Sequence, residues 1–207
     1  MKLYEFAPTR SIRARWVLQE IGLEFEAITI NLFEGQGQAP RYLWLNPTGK
    51  VPALVDGDFV LTESVAIAVY LAEKYPHKRL LPVDPELRAQ LNRWMLFTVT
   101  ELEQPLWRIS RHSFLYPEGQ RLAADIDLAR QEFRTMAAIL EAQMRHRKFL
   151  VSDQVTVGDF ILAHTLDWAN EEQLLDQCPT LLSYMERMYD RPNAPMRIAA
   201  AAKSVGL

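Results

Sequence analysis

The chain has 207 residues, 49% hydrophobic and 24% charged, with a formal net charge of -3, the balance of an ordinary globular protein. No stretch is strongly basic, which leaves no electrostatic footprint for nucleic acid. A single cysteine, Cys178, excludes an intramolecular disulfide and a CxxC redox pair and argues against a thiolate zinc site, and His77, His112, His146 and His164 lack metal-ligand spacing; with no apolar run of about 18 residues to span a membrane, cytoplasmic residence is expected.

Residues 2–6 carry Leu3, Tyr4 and Phe6 and read as a strand rather than a signal peptide. A turn at residues 7–11 leads into Ile12, Trp16, Leu18 and Ile21 at roughly helical spacing, with Gly22 as the stop. Residues 25–30 alternate as a second strand should, which completes a βαβ unit. A polar stretch with Gly35 and Gly37 follows, then Asn46-Pro47-Thr48-Gly49-Lys50-Val51-Pro52. Residues 53–55 and 59–61 flank Asp56-Gly57-Asp58, a hairpin signal, and residues 63–75 read as a helix ended by Pro76. The order βαβ, irregular segment, ββα is that of an α/β thioredoxin-like domain, expected over residues 1–77. Residues 78–85 read as a linker, in which Asp84 can cap a helix and Pro85 suits its first turn. From there every strong pattern is helical, which predicts an all-α helical bundle over residues 86–207. Leu87, Leu91, Trp94, Met95 and Leu102 form one apolar stripe; Leu122, Ile126, Phe133, Met136, Ala137, Leu140 and Met144 form another. Thr156-Val157-Gly158-Asp159 resembles a capping box that opens a further helix.

Three places can carry chemistry. A cis Val51-Pro52 bond turns the Val51 backbone outward to pair with an extended peptide, although the local sequence alone favours an ordinary trans proline. Ser64 at a helix N-terminus suits a carboxylate, and Glu63 beside it suits an ammonium group; together they fit the head of an α-amino acid. The plainer alternative is an N-cap with a dipole-favourable glutamate. Thr9-Arg10-Ser11 puts hydroxyls at the positive end of a helix, where a thiolate is stabilised, with Ser11 as a simple N-cap the alternative.

In combination these segments carry a resemblance. Thr9-Arg10-Ser11-Ile12-Arg13, Asn46-Pro47-Thr48-Gly49-Lys50-Val51-Pro52-Ala53-Leu54, Thr62-Glu63-Ser64 and Thr156-Val157-Gly158-Asp159 resemble the cytosolic glutathione transferase family along nearly the whole chain. The resemblance implies a cis Pro52, a Val51 backbone that pairs with the cysteinyl part of glutathione, Glu63 and Ser64 on the γ-glutamyl end, and Lys50 near the glycine carboxylate. It implies a hydroxyl near the first helix on the sulfur. Alignment on Arg13 puts Thr9 where serine-type members keep their serine, and Ser11 is the alternative; Arg10 or a backbone N–H can share the task. Tyr4 comes too early to act as a sulfur tyrosine. Thr156 and Asp159 match the family's buried capping motif.

The implied reaction is attack of glutathione thiolate on a small apolar electrophile, with glutathione as co-substrate and no metal or other cofactor. Trp107, Arg108, Arg111 and His112 form the candidate co-substrate pocket. A homodimer is implied, with Glu101 reaching the neighbour's ligand and Ala68 and Ala72 offering small residues at the contact. Two alternatives remain open: a glutathione-dependent isomerase of the maleylacetoacetate type, and a non-catalytic binding or regulatory protein on the same fold. The first is weakened because Thr9-Arg10-Ser11 lacks the doubled serine and the cysteine of that class.

Overall fold

The computed structural model describes residues 1–206. The chain forms two compact units. One comprises Met1–Leu81 and the segment from Tyr189 onward; the other is Pro82–Met188. The helical domain expected over 86–207 therefore gives up its last segment to the first unit, because that segment finds its packing partners there. Among the described residues no helix is long and apolar enough to cross a membrane.

In the first unit the order is β1 (Lys2–Glu5), α1 (Ser11–Ile21), β2 (Glu26–Thr29), α2 (Pro40–Leu43), β3 (Ala53–Asp56), β4 (Phe59–Thr62) and α3 (Ser64–Lys74). The sheet runs β2-β1-β3-β4. β1 pairs with β2 in parallel, and β3 is antiparallel to both β1 and β4. This is the thioredoxin-like arrangement read from the sequence. Successive strand residues face opposite ways, and β1 shows it. Leu3 is fully buried on the face that α1 and α3 cover, with Trp16, Val17, Ile67 and Leu71. Tyr4 turns to the opposite face, where Phe6, Ile30, Tyr42 and Val51 make a smaller core. Gly22 ends α1 at φ 77°, its N–H donating to the Leu18 and Gln19 carbonyls, a left-handed cap that side chains resist. Ala68 and Ala72 are themselves buried in this unit, so they do not offer the free contact face expected of them. The late segment lies on α1: the Tyr189 ring sits 4.7 Å from Trp16, and Arg191 pairs with Glu20. The short α9 (Ile198–Ser204) follows.

The helical unit starts with α4 (Pro85–Phe97), with Pro85 at its first turn and the Asp84 carboxylate accepting from Leu87 N–H at 2.8 Å. A π-turn at Thr98–Leu102 joins it to α5 (Glu103–Ser110), and a second π-turn at Arg111–Leu115 follows. α6 (Ala123–Met144), α7 (Val157–Glu171) and α8 (Pro179–Tyr189) complete the bundle. Leu91, Trp94, Met95 and Leu102 are buried as their spacing predicts, whereas Leu87 and Leu122 are exposed at helix starts. α7 is buried on every side from Val157 to Asp167, and it takes Asp159, His164, Thr165 and Asp167 into the interior with it. Its Gly158 lets α4 approach closely; a Cβ there would stand 2.5 Å from Leu91 Cδ1.

Asp159 anchors this bundle. Its fully buried carboxylate accepts from Leu150 N–H, Thr156 N–H, the Thr156 hydroxyl and the Tyr184 hydroxyl at 2.7–2.8 Å. It thereby ties the start of α7 to the preceding loop and to α8. Asp159→Ala strands four buried donors and should cost about 3 kcal/mol or more. Asp159→Asn, which brings two N–H groups against donors, should recover less than half of that. Urea unfolding midpoints check both.

Candidate functional site

Sheet register gathers the candidate residues. Tyr4 pairs with Ala53, and Ala53 with Thr62. The loop after β1, the loop before β3 and the loop after β4 therefore leave one end of the sheet. Thr9, Val51-Pro52 and Glu63 sit on those three loops, and Ser64 opens α3 directly after the third.

After β1 comes a cis Ala7-Pro8 bond, which sequence reading did not single out. The Phe6 carbonyl then accepts from Thr9 N–H at 3.0 Å and from the Thr9 hydroxyl at 2.5 Å. Thr9 Oγ1 in turn accepts from Ser11 N–H at 3.2 Å, and the Thr9 carbonyl accepts from Ile12 N–H at 3.1 Å. The N-cap of α1 is therefore Arg10, which makes no side-chain capping bond, and not Ser11 as expected; the Thr9 hydroxyl oxygen instead takes the N–H of the first helical residue. Ser11 is the first residue of α1 and only 1% exposed. Its Oγ accepts from Phe6 N–H at 3.3 Å and lies 2.9 Å from Thr9 Oγ1. Thr9 and Arg10 are half-buried and reach the surface.

Before β3, a turn closes with Gly49 N–H on the Asn46 carbonyl at 2.9 Å. Gly49 has φ 67°, and a Cβ on it would stand 2.9 Å from the Gly37 carbonyl oxygen, so neither conformation nor space admits a side chain. Asn46 Oδ1 accepts from Thr48 N–H and the Thr48 hydroxyl, while Asn46 Nδ2 donates to the Lys50 carbonyl at 2.6 Å. The Tyr42 hydroxyl donates to the same carbonyl at 2.6 Å. Burial pushes the Tyr42 phenol up to about 12, which keeps it a neutral donor. With the Lys50 carbonyl held twice, the next residue, Val51, is set in place, and the Val51-Pro52 bond is cis. The Lys50 side chain is exposed.

After β4, Glu63 adopts φ 69° and ψ 114°. For a residue with a Cβ this costs about 1–3 kcal/mol, and such strain clusters at ligand clamps. Ser64 opens α3, is 6% exposed, and accepts at Oγ from Arg13 Nη1 at 3.4 Å. Arg13, itself buried, ties the first turn of α1 to the first residue of α3. Sequence reading used Arg13 for alignment and gave it no role. The available signal was one cation on the apolar side of α1, beside Ala14, Trp16 and Val17.

The four candidate pocket residues of the helical unit divide. Arg108 grips Asp125 with two N–H groups at 3.1 and 2.5 Å and also pairs with Glu132. His112 accepts from Leu122 N–H at 3.2 Å and faces Asp125 at 3.3 Å. Both are engaged in packing α5 and the following turn against α6. Trp107 stacks edge-on against Trp168, and the Arg111 guanidinium lies over the Tyr116 ring. A groove of about 390 Å³ opens elsewhere in this unit, lined in part by Glu101, Gln104, Leu128, Glu132 and Met136 and by none of the four.

Two family models match the chain: the glutathione S-transferase N-terminal domain over residues 1–73 and the glutathione S-transferase C-terminal domain over residues 99–192. Glutathione S-transferase 1 of Dianthus caryophyllus is 36% identical over 168 residues, 79% of this chain and 74% of that protein. A zeta-class glutathione S-transferase of Euphorbia esula is 33% identical over 199 residues, 93% of this chain and 87% of that one. The solved glutathione-S-transferase from Xylella fastidiosa superposes with a TM-score of 0.83 at 30% identity, covering 100% of this chain and 98% of its own.

The Arg108 guanidinium holds the Asp125 carboxyl below the usual carboxylate range. A depressed acid contributes stability that is full above its unfolded pKa and fades as pH falls through the folded one. Asp125→Asn should therefore cost about 1 kcal/mol at neutral pH. The gap from wild type should close as the pH drops below about 4. Unfolding midpoints across pH test this.

Proposed function

The chain belongs to the glutathione transferase family, and from that premise we propose that its first unit binds glutathione and delivers the thiolate to a small apolar electrophile. The observation that carries this reading is the meeting of three loops at one end of the sheet, each with the group that one part of the tripeptide needs. The γ-glutamyl carboxylate takes the Ser64 N–H and hydroxyl at the positive end of α3. Glu63 takes the ammonium, its backbone strain the cost of that placement. The Val51 N–H and C=O pair with the cysteinyl residue as an added strand. Lys50 meets the glycine carboxylate.

Thr9 is the sulfur ligand in this reading, because Ser11 is too deeply buried to reach a ligand. When the Thr9 proton turns from the Phe6 carbonyl to the sulfur, that carbonyl keeps Thr9 N–H. The hydroxyl does not take the thiol proton, which leaves to solvent; it stabilises the charge that remains. Each unit by which the thiol pKa falls corresponds to about 1.4 kcal/mol. The Arg10 cation, one residue on, adds to that field. The thiolate then forms a C–S bond, and a leaving group departs with its electron pair, or an added carbanion takes a proton from water. Within the helical unit, Trp107 and Arg111, which pack on the Trp168 and Tyr116 rings, are the candidates for an aromatic electrophile with a negative group. The active form in this reading is a homodimer.

One observation favours a second reading, binding without turnover: both hydroxyl protons of the pair can be satisfied inside the protein. Calorimetric titration with glutathione, beside a conjugation assay on a dinitrophenyl halide, separates the two. Ser64→Ala should weaken binding by about tenfold, the loss of one hydrogen bond to a charged group. Thr9→Val should bind within about twofold of wild type yet lose about 100-fold in turnover. Glu63→Gly, which relieves the strain at positive φ, should hold or raise the unfolding midpoint while it loses affinity. Wild-type binding with no turnover would leave the second reading; no heat at millimolar glutathione would end both.

A further inference from the structure

The two hydroxyls at the head of α1 are wired in one direction. Thr9 has one hydroxyl proton, and its 2.5 Å contact with the Phe6 carbonyl uses it. The 2.9 Å contact between the two oxygens must then use the Ser11 proton. Ser11 N–H already donates to Thr9 Oγ1. Both lone pairs of Thr9 are therefore filled from Ser11, by its N–H and by its O–H. Ser11 Oγ is held from behind by Phe6 N–H at 3.3 Å.

We propose that Ser11 is a positioning residue whose buried hydroxyl fills the Thr9 acceptor sites, so that Thr9 can meet a ligand's sulfur only as a donor. This rests on the glutathione reading and on Thr9 as sulfur ligand. A Thr9 with a free lone pair can equally accept from a protonated thiol, which favours the unreactive form. A Thr9 saturated by Ser11 cannot, and donation from Ser11 also polarises the Thr9 O–H and strengthens it towards an anion. The thiolate gains twice: its donor is stronger, and the competing thiol loses its acceptor. Thr9 alone touches the sulfur.

The test is the pH titration of the bound thiol, followed by thiolate ultraviolet absorbance at saturating glutathione, for wild type, Ser11→Ala, Thr9→Val and the double variant. Ser11→Ala should raise the bound thiol pKa by about half a unit while glutathione affinity stays within about twofold. Turnover should fall about threefold on the acid limb and recover at high pH, where the thiol is ionised regardless. In the Thr9→Val background the Ser11 substitution should leave the thiol pKa unmoved, because the effect passes through Thr9. Ser11→Gly, which also deletes the hydroxyl, should repeat the displacement, and Ser11→Thr should restore the wild-type value.

A bound thiol pKa unchanged in Ser11→Ala or Ser11→Gly overturns the proposal, as does an affinity loss with no change in that pKa, the mark of a merely structural serine. A displacement that persists undiminished without the Thr9 hydroxyl also overturns it. Failure of the wild type to bind glutathione removes the function reading itself, and this proposal with it; a wild type that binds with its thiol pKa depressed keeps that reading whatever Ser11 does.

Discussion

The placement of β3 between β1 and β4 is the constraint on which the site depends. A slip of one residue in that pairing sends Leu54 from the core to the opposite face, and it also moves Val51 along the sheet relative to Thr9 and Ser64. Burial of Leu3 and Leu54 on one side and of Val51 with Tyr42 on the other fixes the register from both faces. Local devices only refine what the sheet delivers. The Gly37–Gly49 approach sets the loop before β3, and the Tyr42 and Asn46 donors hold the Lys50 carbonyl. Arg13 then locks the two helix starts together. Apolar packing positions the site, and hydrogen bonds orient it.

What the sequence made legible follows the reach of each interaction. Periodicity and turn chemistry are local, so the strands, the Asp56-Gly57-Asp58 hairpin, the Gly22 stop and the Asp84-Pro85 helix start could all be read directly. The Thr156–Asp159 box could be read too, its partners being three residues apart, but Leu150 and Tyr184 on the same carboxylate could not. Arg13 meets Ser64 across 51 positions, and Arg108 meets Asp125 across 17. Nothing in residue spacing announces such pairs, and so Arg108 and His112 read as pocket residues when the fold engages them in packing. The Thr9 and Ser11 roles depend on burial, which pattern alone does not resolve at a helix start, where either residue can cap.

The two units use polar groups differently. In the helical unit, carboxylates are structural: the buried Asp159 joins three segments, and the half-buried Glu141 accepts from Thr180 and Leu181 N–H groups to cap α8. In the first unit, polar groups at the end of the sheet are held largely by backbone, as the Lys50 carbonyl and the Thr9–Ser11 pair show. Phe6 is the hub there. Its carbonyl takes the Thr9 proton and its N–H supports Ser11, so a core residue just past β1 orients both hydroxyls through its backbone without lending them any side chain.

The segment that begins at Tyr189 has a consequence for how the molecule comes into being. It covers the Trp16 and Glu20 side of the first long helix, yet more than a hundred residues of another unit separate the two in chain order. On the ribosome, the strands and helices of the first unit emerge early and wait. Their flank on this side stays uncovered throughout synthesis of the helical unit and is closed only once the segment from Tyr189 onward has been translated. The unit whose synthesis starts before the helical one is completed after it, and in a growing chain that unfinished flank is the surface a chaperone would meet.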